Sequence, residues 1–420
     1  MMGESFISRI IFVMLSAFLL VDAVNGYFLL TLDVDAKISV LYKGVLLTLL
    51  SLYLFLYKPN QILLIFCFCL FLMLGEAISV LTLQSSAGQT GFLCQHALKV
   101  VSPFLLMCFL FHREGVDQKF AKRIDMVLGF NCTIFIANIF AGIGGYGYST
   151  YGGSVGEGSI GVKGFFYAGN EISAILVVFA GLYLGKAYVK SKMNYILVAI
   201  FWVIIGFSIS TKTAILAVLL LVMATPLLFE GRKIFFFNNI PSVIFMTGLA
   251  LLSFQAFSLY TIFQETALYG RMDFFFRNHG IIGVVLSGRD LYAAVMWENF
   301  QSSVSIFNMI FGNGASYYAD RTVYSSELDF ADMFFWHGIA GVLISLFVFA
   351  ALSAYAIKYW SEAPCLFART VLLTNFLLLV IANLSGHVFT SGMLAFLWPC
   401  FAIIAKRRRS GVNPSAVAAA

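Results

Sequence analysis

Charge is scarce in this chain. Of 420 residues only 11% are Asp, Glu, Lys or Arg, against 61% that are hydrophobic, and the mean hydropathy is +0.92. Ordinary water-soluble domains do not carry that balance, so the class expected is a polytopic membrane protein. Other absences narrow the chemistry. The seven cysteines, at 67, 69, 94, 108, 132, 365 and 400, form no CxxC pair and no Cys/His zinc spacing. Most fall in apolar runs, where a thiol packs as a small hydrophobe. The five histidines make no HExxH, no GxxxxGK loop is followed by Ser or Thr, and the glycine-rich run 142–164 follows no strand. Zinc hydrolysis, ATP-driven work and a dinucleotide fold are thereby disfavoured.

Long apolar runs are abundant. A bilayer core about 30 Å thick takes roughly 20 such residues per helix. Counting between charged or glycine-rich breaks predicts twelve spans, near 8–30, 39–57, 61–83, 93–112, 125–145, 170–189, 194–210, 212–229, 240–262, 333–357, 366–385 and 387–405. The fold expected is therefore an all-α integral membrane protein with about 12 helices, one transmembrane domain over residues 1–420. Asp22 and Asn25 interrupt the first run, which reads as a retained span and not a signal peptide.

Orientation follows from the basic residues. With the tail 406–420 and its run Lys406 to Arg409 in the cytoplasm, seventeen of the 26 Lys and Arg fall on that side. Each cytoplasmic connection then obeys the positive-inside rule, and both termini are cytoplasmic. The net charge of +6 becomes a consequence of topology and gives no reason to expect nucleic acid. Nine basic residues stand on the wrong side: Lys37, Lys43, Lys99, Lys163, Lys212, Arg271, Arg277, Arg289 and Arg321.

Two external segments are long. Residues 144–169 are rich in Gly and Tyr and lead into span six through Gly164-Phe165-Phe166-Tyr167-Ala168-Gly169-Asn170-Glu171. Residues 264–332 connect spans nine and ten, and the apolar stretches 274–276, 281–286 and 291–297 predict short amphipathic helices on the membrane surface. External arginines in such a loop suit a lipid pyrophosphate, because a guanidinium pairs with phosphate oxygens through two parallel hydrogen bonds and keeps its charge. Arg289, in Ser287-Gly288-Arg289-Asp290, is the first candidate, and Lys212, in the polar hinge Ser208 to Thr213, the second. Arg271 and Arg277 are further candidates. The bland alternative is that Lys212 snorkels and the arginines, Arg321 included, pair with Asp273 and Asp290 to order the loop.

Glu327, Asp329 and Asp332 stand at the external entrance of span ten. Acids at a helix start commonly cap amides. Three together opposite a basic loop also suit a base that takes a proton from a sugar hydroxyl. Asp33-Val34-Asp35 reads as a solvated loop, and no metal or cofactor is expected.

These features together resemble the Wzy-type O-antigen and exopolysaccharide polymerases, within the superfamily that also holds the O-antigen ligases. The likeness runs from about residue 140 to 400. It is carried by the twelve spans, the Gly-Phe-Phe-Tyr-Ala-Gly-Asn-Glu segment, Ser208-x-Ser210-x-Lys212, Ser287-Gly288-Arg289-Asp290, Gly312-Asn313-Gly314, and Glu327-x-Asp329-x-x-Asp332 before Gly338-x-x-Gly341. The resemblance implies an inverting glycosyltransferase at the periplasmic face of a bacterial inner membrane. It would move a growing glycan from undecaprenyl pyrophosphate to a sugar hydroxyl of another lipid-linked repeat unit, without nucleotide sugar or metal. Membrane lipid, a chain-length regulator and a flippase are the partners implied. Carried onto this chain residue by residue, the resemblance puts Lys212 at the hinge position where ligases usually have arginine and Arg289 at the long-loop arginine that binds pyrophosphate. Beside it, the residues themselves offer Arg271 and Arg277 as further pyrophosphate ligands, Glu327 or Asp329 as the base with Arg289 assisting, and Tyr167, Asn170, Glu171 and Asp332 as glycan contacts. The ligases have a His-Asn pair shortly before the Gly-x-x-Gly helix, where this chain has Glu327 and Asp329, which favours a polymerase. The alternatives are a ligase acting on lipid A core and, from another class, a lipid-linked oligosaccharide flippase. Transporters rock two halves about a midplane site and often carry repeats; here no repeat is evident and the charges gather at one face.

Overall fold

The computed structural model describes residues 2–82, 90–117, 119–151, 155, 159–167, 169–230, 267–319, 321–360 and 366–406. Eight long helices come first: α1 (Met2–Thr31), α2 (Ile38–Tyr57), α3 (Pro59–Thr82), α4 (Thr90–Val116), α5 (Phe120–Ile143), α6 (Gly169–Lys190), α7 (Lys192–Ile209) and α8 (Lys212–Glu230). A small hairpin, β1 (Tyr148–Tyr151) and β2 (Ile160–Gly164), lies between α5 and α6. Then follow α9 (Ala267–Leu286), α10 (Arg289–Gln301), α11 (Ile306–Phe311), α12 (Ala315–Ala319), α13 (Asp329–Trp360), α14 (Leu366–Leu384) and α15 (Leu394–Ala402), the last continued by a 3-10 turn, Ile403–Lys406.

Among the described residues nine helices are long and apolar enough to cross a membrane, which makes this a multi-pass, almost wholly helical membrane protein. They coincide with nine of the twelve predicted spans. Of the other three, 240–262 lies outside the described residues. The run 93–112 is helical within the 27-residue α4, but His96, Lys99, His112 and Arg113 dilute its apolar character. The run 387–405 needs correcting: helix begins only at Leu394, and residues 385–393 form a buried irregular loop. Nonhelical backbone inside a membrane bundle is tolerated where protein groups satisfy it, and here two carboxylates do so, as described below.

Helix α6 is the axis of the bundle, with 83% of its membrane-length segment buried against neighbours that include α7, α8 and α14. Gly181 and Gly185, four apart, bring it close to α14: a Cβ added at these positions would stand 2.3 Å from Thr374 Oγ1 and 3.0 Å from Thr370 Oγ1. Small residues one turn apart allow this approach where apolar burial gives no preference for protein over lipid.

The hairpin was not expected in an all-α chain. Its aromatic and hydroxyl residues suit a pleated ribbon, and the strands pair antiparallel with Ser149 opposite Val162 and Tyr151 opposite Ile160. Asn138 of α5 docks it, donating to Lys163 O at 2.8 Å and accepting from Phe165 N at 2.9 Å. Thr150 then donates to Ile209 O, the last residue of α7, at 2.7 Å. Lys163, one of the misplaced basic residues, bonds Tyr167 O at 2.7 Å and so orders its own loop.

Helix α13 breaks at Gly338 (φ 62), where a side chain would strike the backbone of Ile310: a Cβ would lie 2.4 Å from its carbonyl oxygen. The amides of Asn313 and Gly314 take up the carbonyls of Phe335 and Trp336, each at 3.0 Å. Glu76 on α3 receives Ser316 from the same loop. Residues 311–319 are thereby packed into the bundle while Ile306, Phe307, Met309 and Ile310 stay exposed, so the loop expected to lie on the surface is only partly superficial.

Candidate active site

Helix α9 ends at Leu286, and Ser287 (φ 57) and Gly288 (φ 83) turn the chain into α10, so that the two helices meet at 83°. Arg289 is the first residue after this turn. Its guanidinium donates to Leu286 O at 3.2 Å and to Glu327 Oε2 at 2.9 Å. The arginine side chain is 13% exposed and the glutamate 41%, which leaves the pair accessible from one side. Arg289 Nε is buried with no hydrogen-bond partner among the described residues. Lys212 donates from Nζ to Val284 O on the same turn of α9. Three sequence-predicted residues, from α8, α10 and the approach to α13, therefore converge on residues 284–289.

Local chemistry fixes Lys212. Ser210 (φ 59) ends α7 in the left-handed region, and Thr211 Oγ1 caps α8 by accepting from Ala214 N at 3.0 Å. The same hydroxyl bonds Ser173 of α6 at 2.8 Å. The hinge is thus pinned to the central helix at one end and to the hairpin at the other.

Glu327 also lies in the left-handed region (φ 58), which costs a residue with a Cβ about 1–2 kcal/mol and persists only where the surroundings impose it. Asp332 accepts Ser325 Oγ, Ser326 N and Ser326 Oγ, each at 2.7 Å, and Ser325 Oγ accepts Glu327 N at 3.1 Å. On the other side Gly386 (φ 65) abuts the glutamate; a Cβ there would stand 2.4 Å from Glu327 O. Asp329 holds that segment by accepting the amides of His387 (2.7 Å), Val388 (2.7 Å) and Phe389 (3.0 Å).

Two sequence assignments change in consequence. Asp329, considered as a base, and Asp332, considered as a glycan ligand, are both buried and occupied with backbone and serine donors. Both hold the segments on either side of Glu327, which alone of the three acids presents an accessible carboxylate. Asp329→Ala should strand three amides in a buried loop at about 1–3 kcal/mol for each group left unpaired. The purified variant is expected to melt several degrees lower than the parent. Unchanged melting with lost activity would return Asp329 to the role of base.

The remaining candidates are dispersed. Arg277 pairs with Asp273 at 2.8 Å on the exposed face of α9, and the Arg321 guanidinium stacks 3.5 Å from the Tyr317 ring centre. Each contact is with a residue four positions away, and the structure places neither arginine at the Arg289–Glu327 pair. The side chains of Arg271 and Asn170 lie outside those described. Tyr167 and Glu171 line a different space, a cavity of about 430 Å³ walled by α1, α2, α4 and the loop before α15. Sequence reasoning passed over Tyr324. Tyr324 is 59% exposed, and partial burial, then the negative charges of Glu327 and Asp332, push its phenol above the ordinary range. Its place three residues before Glu327 was the only trace in the sequence.

No protein-family model matches this chain, and no curated protein matches it either, so a reading of its function rests on the geometry of these residues.

Proposed function

We propose that this protein is a glycosyltransferase that elongates a lipid-linked polysaccharide at the outer face of a bacterial inner membrane, with both termini in the cytoplasm. The observation that supports this reading is the accessible Arg289–Glu327 pair at the 83° bend between α9 and α10, a pair of helices apolar enough to form one broken span, with Lys212 bonded to Val284 O just before the bend. A base beside two fixed cations is the arrangement that transfer from a pyrophosphate requires. The acceptor hydroxyl oxygen attacks the anomeric carbon, the bond from that carbon to the pyrophosphate oxygen breaks with inversion, and the hydroxyl proton passes to Glu327. Negative charge grows on the departing lipid pyrophosphate, and Arg289 and Lys212 stabilise it more in the transition state than in the ground state. A pyrophosphate that takes over the guanidinium also frees the Glu327 carboxylate for the hydroxyl.

Purified protein supplied with undecaprenyl-pyrophosphate-linked repeat units should lengthen them into a ladder on a gel. Transfer only to lipid A core would mark a ligase. Movement of the units across vesicles without lengthening would mark a flippase and remove the enzymatic reading.

A further inference from the structure

The segment around α11 is built inside out. Its side chains Ile306, Phe307, Met309 and Ile310 are 41–77% exposed, whereas Asn308 is 7% exposed and Asn313, just past the helix, 1%. The buried amides serve one another and two serines. Asn308 donates to Ser303 O at 2.9 Å and to Asn313 Oδ1, and Asn313 donates to Ser303 Oγ at 2.7 Å. Ser305 donates to Asn308 Oδ1 at 2.6 Å and accepts Asn308 N at 3.1 Å. A loop in water has the reverse arrangement, with polar groups hydrated at its surface and no contiguous apolar patch. Hydrocarbon demands the pattern found here, in which the segment satisfies its own polar groups and turns apolar side chains outward.

Two membrane helices measure its depth. Gly75 of α3 packs on Phe311 O and Gly338 of α13 on Ile310 O, each so closely that a Cβ would collide. The two helices run antiparallel, since His337 bonds Leu72 O while Phe347 meets Phe68, so the ends beside Lys58 and Lys358 share one face of the membrane. At 1.5 Å per residue Gly75 stands about 24 Å along α3 from Pro59, and Gly338 about 33 Å along α13 from Trp360. In a hydrocarbon core about 30 Å thick, crossed by tilted helices, these contacts fall in the leaflet remote from Lys58 and Lys358. The Phe311 ring reaches deeper still and stacks on Phe71, one turn before Gly75, at 6.2 Å. Leu70 and Phe71 on α3, with Ile339 and Leu343 on α13, are 44–59% exposed, so apolar surface continues across both helices that carry α11.

We propose that residues 304–311 form a finger immersed in that leaflet, with the acyl chains of bilayer lipids packed on Ile306, Phe307, Met309 and Ile310, and that it fastens the segment carrying Arg289 to the membrane. Lipid is the occupant because the finger joins the bundle at hydrocarbon depth, between helices whose own flanks there are apolar and exposed.

The test uses full-length protein in vesicles of phosphatidylethanolamine and phosphatidylglycerol, with a membrane-impermeant maleimide as the first probe. Phe307→Cys and Ile310→Cys should each label about tenfold or more slowly than Asp35→Cys, because a thiol in hydrocarbon does not ionise to the reactive thiolate. Labelling is counted above that of the parent, which has seven cysteines of its own. Asp35, exposed between α1 and α2 at the end of α2 remote from Lys58, lies on the same face as the finger and reports the rate in water. The second probe is a benzophenone analogue of phenylalanine in place of Phe307, whose side chain is 60% exposed and so tolerates the change. Irradiation should give an adduct heavier than the protein by one phospholipid. Labelling as fast as at Asp35→Cys would place the segment in water and overturn the proposal. Irradiation that yields no lipid adduct would overturn it too, and adducts to a second copy or to another protein alone would make this face a protein interface. Neither readout depends on activity, so the finger stands or falls apart from the elongation reading.

Discussion

Arg289→Ala should reduce the rate of elongation on the order of a hundredfold, equivalent to about 3 kcal/mol of transition-state stabilisation, without unfolding the protein. The size follows from what the guanidinium meets. It is fixed at the first position of α10 by Leu286 O and aligned by Glu327, so its remaining donors are held in place before the substrate arrives. A cation that needs no rearrangement as charge develops contributes more than a mobile one. Stability should change little, because an ion pair whose glutamate is 41% exposed contributes only about 0.2–1 kcal/mol. Arg289→Lys should fall between, since an ammonium keeps the charge but not the fork that takes two phosphate oxygens. The measurements are ladder formation over time and thermal melting of the same preparations. Normal ladders from the alanine variant would remove Arg289 from the site, and a large loss of melting temperature would reassign it to the fold.

The membrane class and most of the helices were legible because apolar length is a local property. The break in the last span was not. Residues 387–405 are apolar throughout, and only the distant Asp329 and Glu171 decide that the chain there forms a loop. The same physics divides the site residues. Lys212, Arg289 and Glu327 could be singled out because charge is conspicuous in a hydrophobic chain, most of all where the positive-inside rule does not expect it. The duties of Asp329 and Asp332 were hidden, because a backbone amide or a neighbouring serine as partner leaves no mark in the sequence that separates a structural acid from a catalytic one. Lys43 and Lys99 show the intermediate case. Each stood out as a basic residue on the wrong side, yet nothing short of the tertiary packing of α1, α2, α4 and α6 brings them beside Asp22 and Glu171.

Glu327 permits the sharpest separation of chemistry from structure, because its backbone is strained. Glu327→Gln keeps the shape and an oxygen for Arg289 but cannot take a proton, and activity should drop by about a hundredfold or more, the usual contribution of a general base. The fall should appear in kcat, with donor KM little changed, since the amide oxygen still orients the arginine. Glu327→Gly provides the control. At φ 58 glycine relieves about 1–2 kcal/mol of left-handed strain. That relief offsets the lost ion pair and the extra backbone entropy of glycine, each about 1 kcal/mol or less. The glycine variant should therefore melt close to the parent while elongating no better than the glutamine one. A residue kept for the fold would behave the opposite way, losing stability on truncation and retaining turnover whenever the chain folds. If Glu327→Gln elongates at the parent rate, the proton goes elsewhere and Glu327 is not the base.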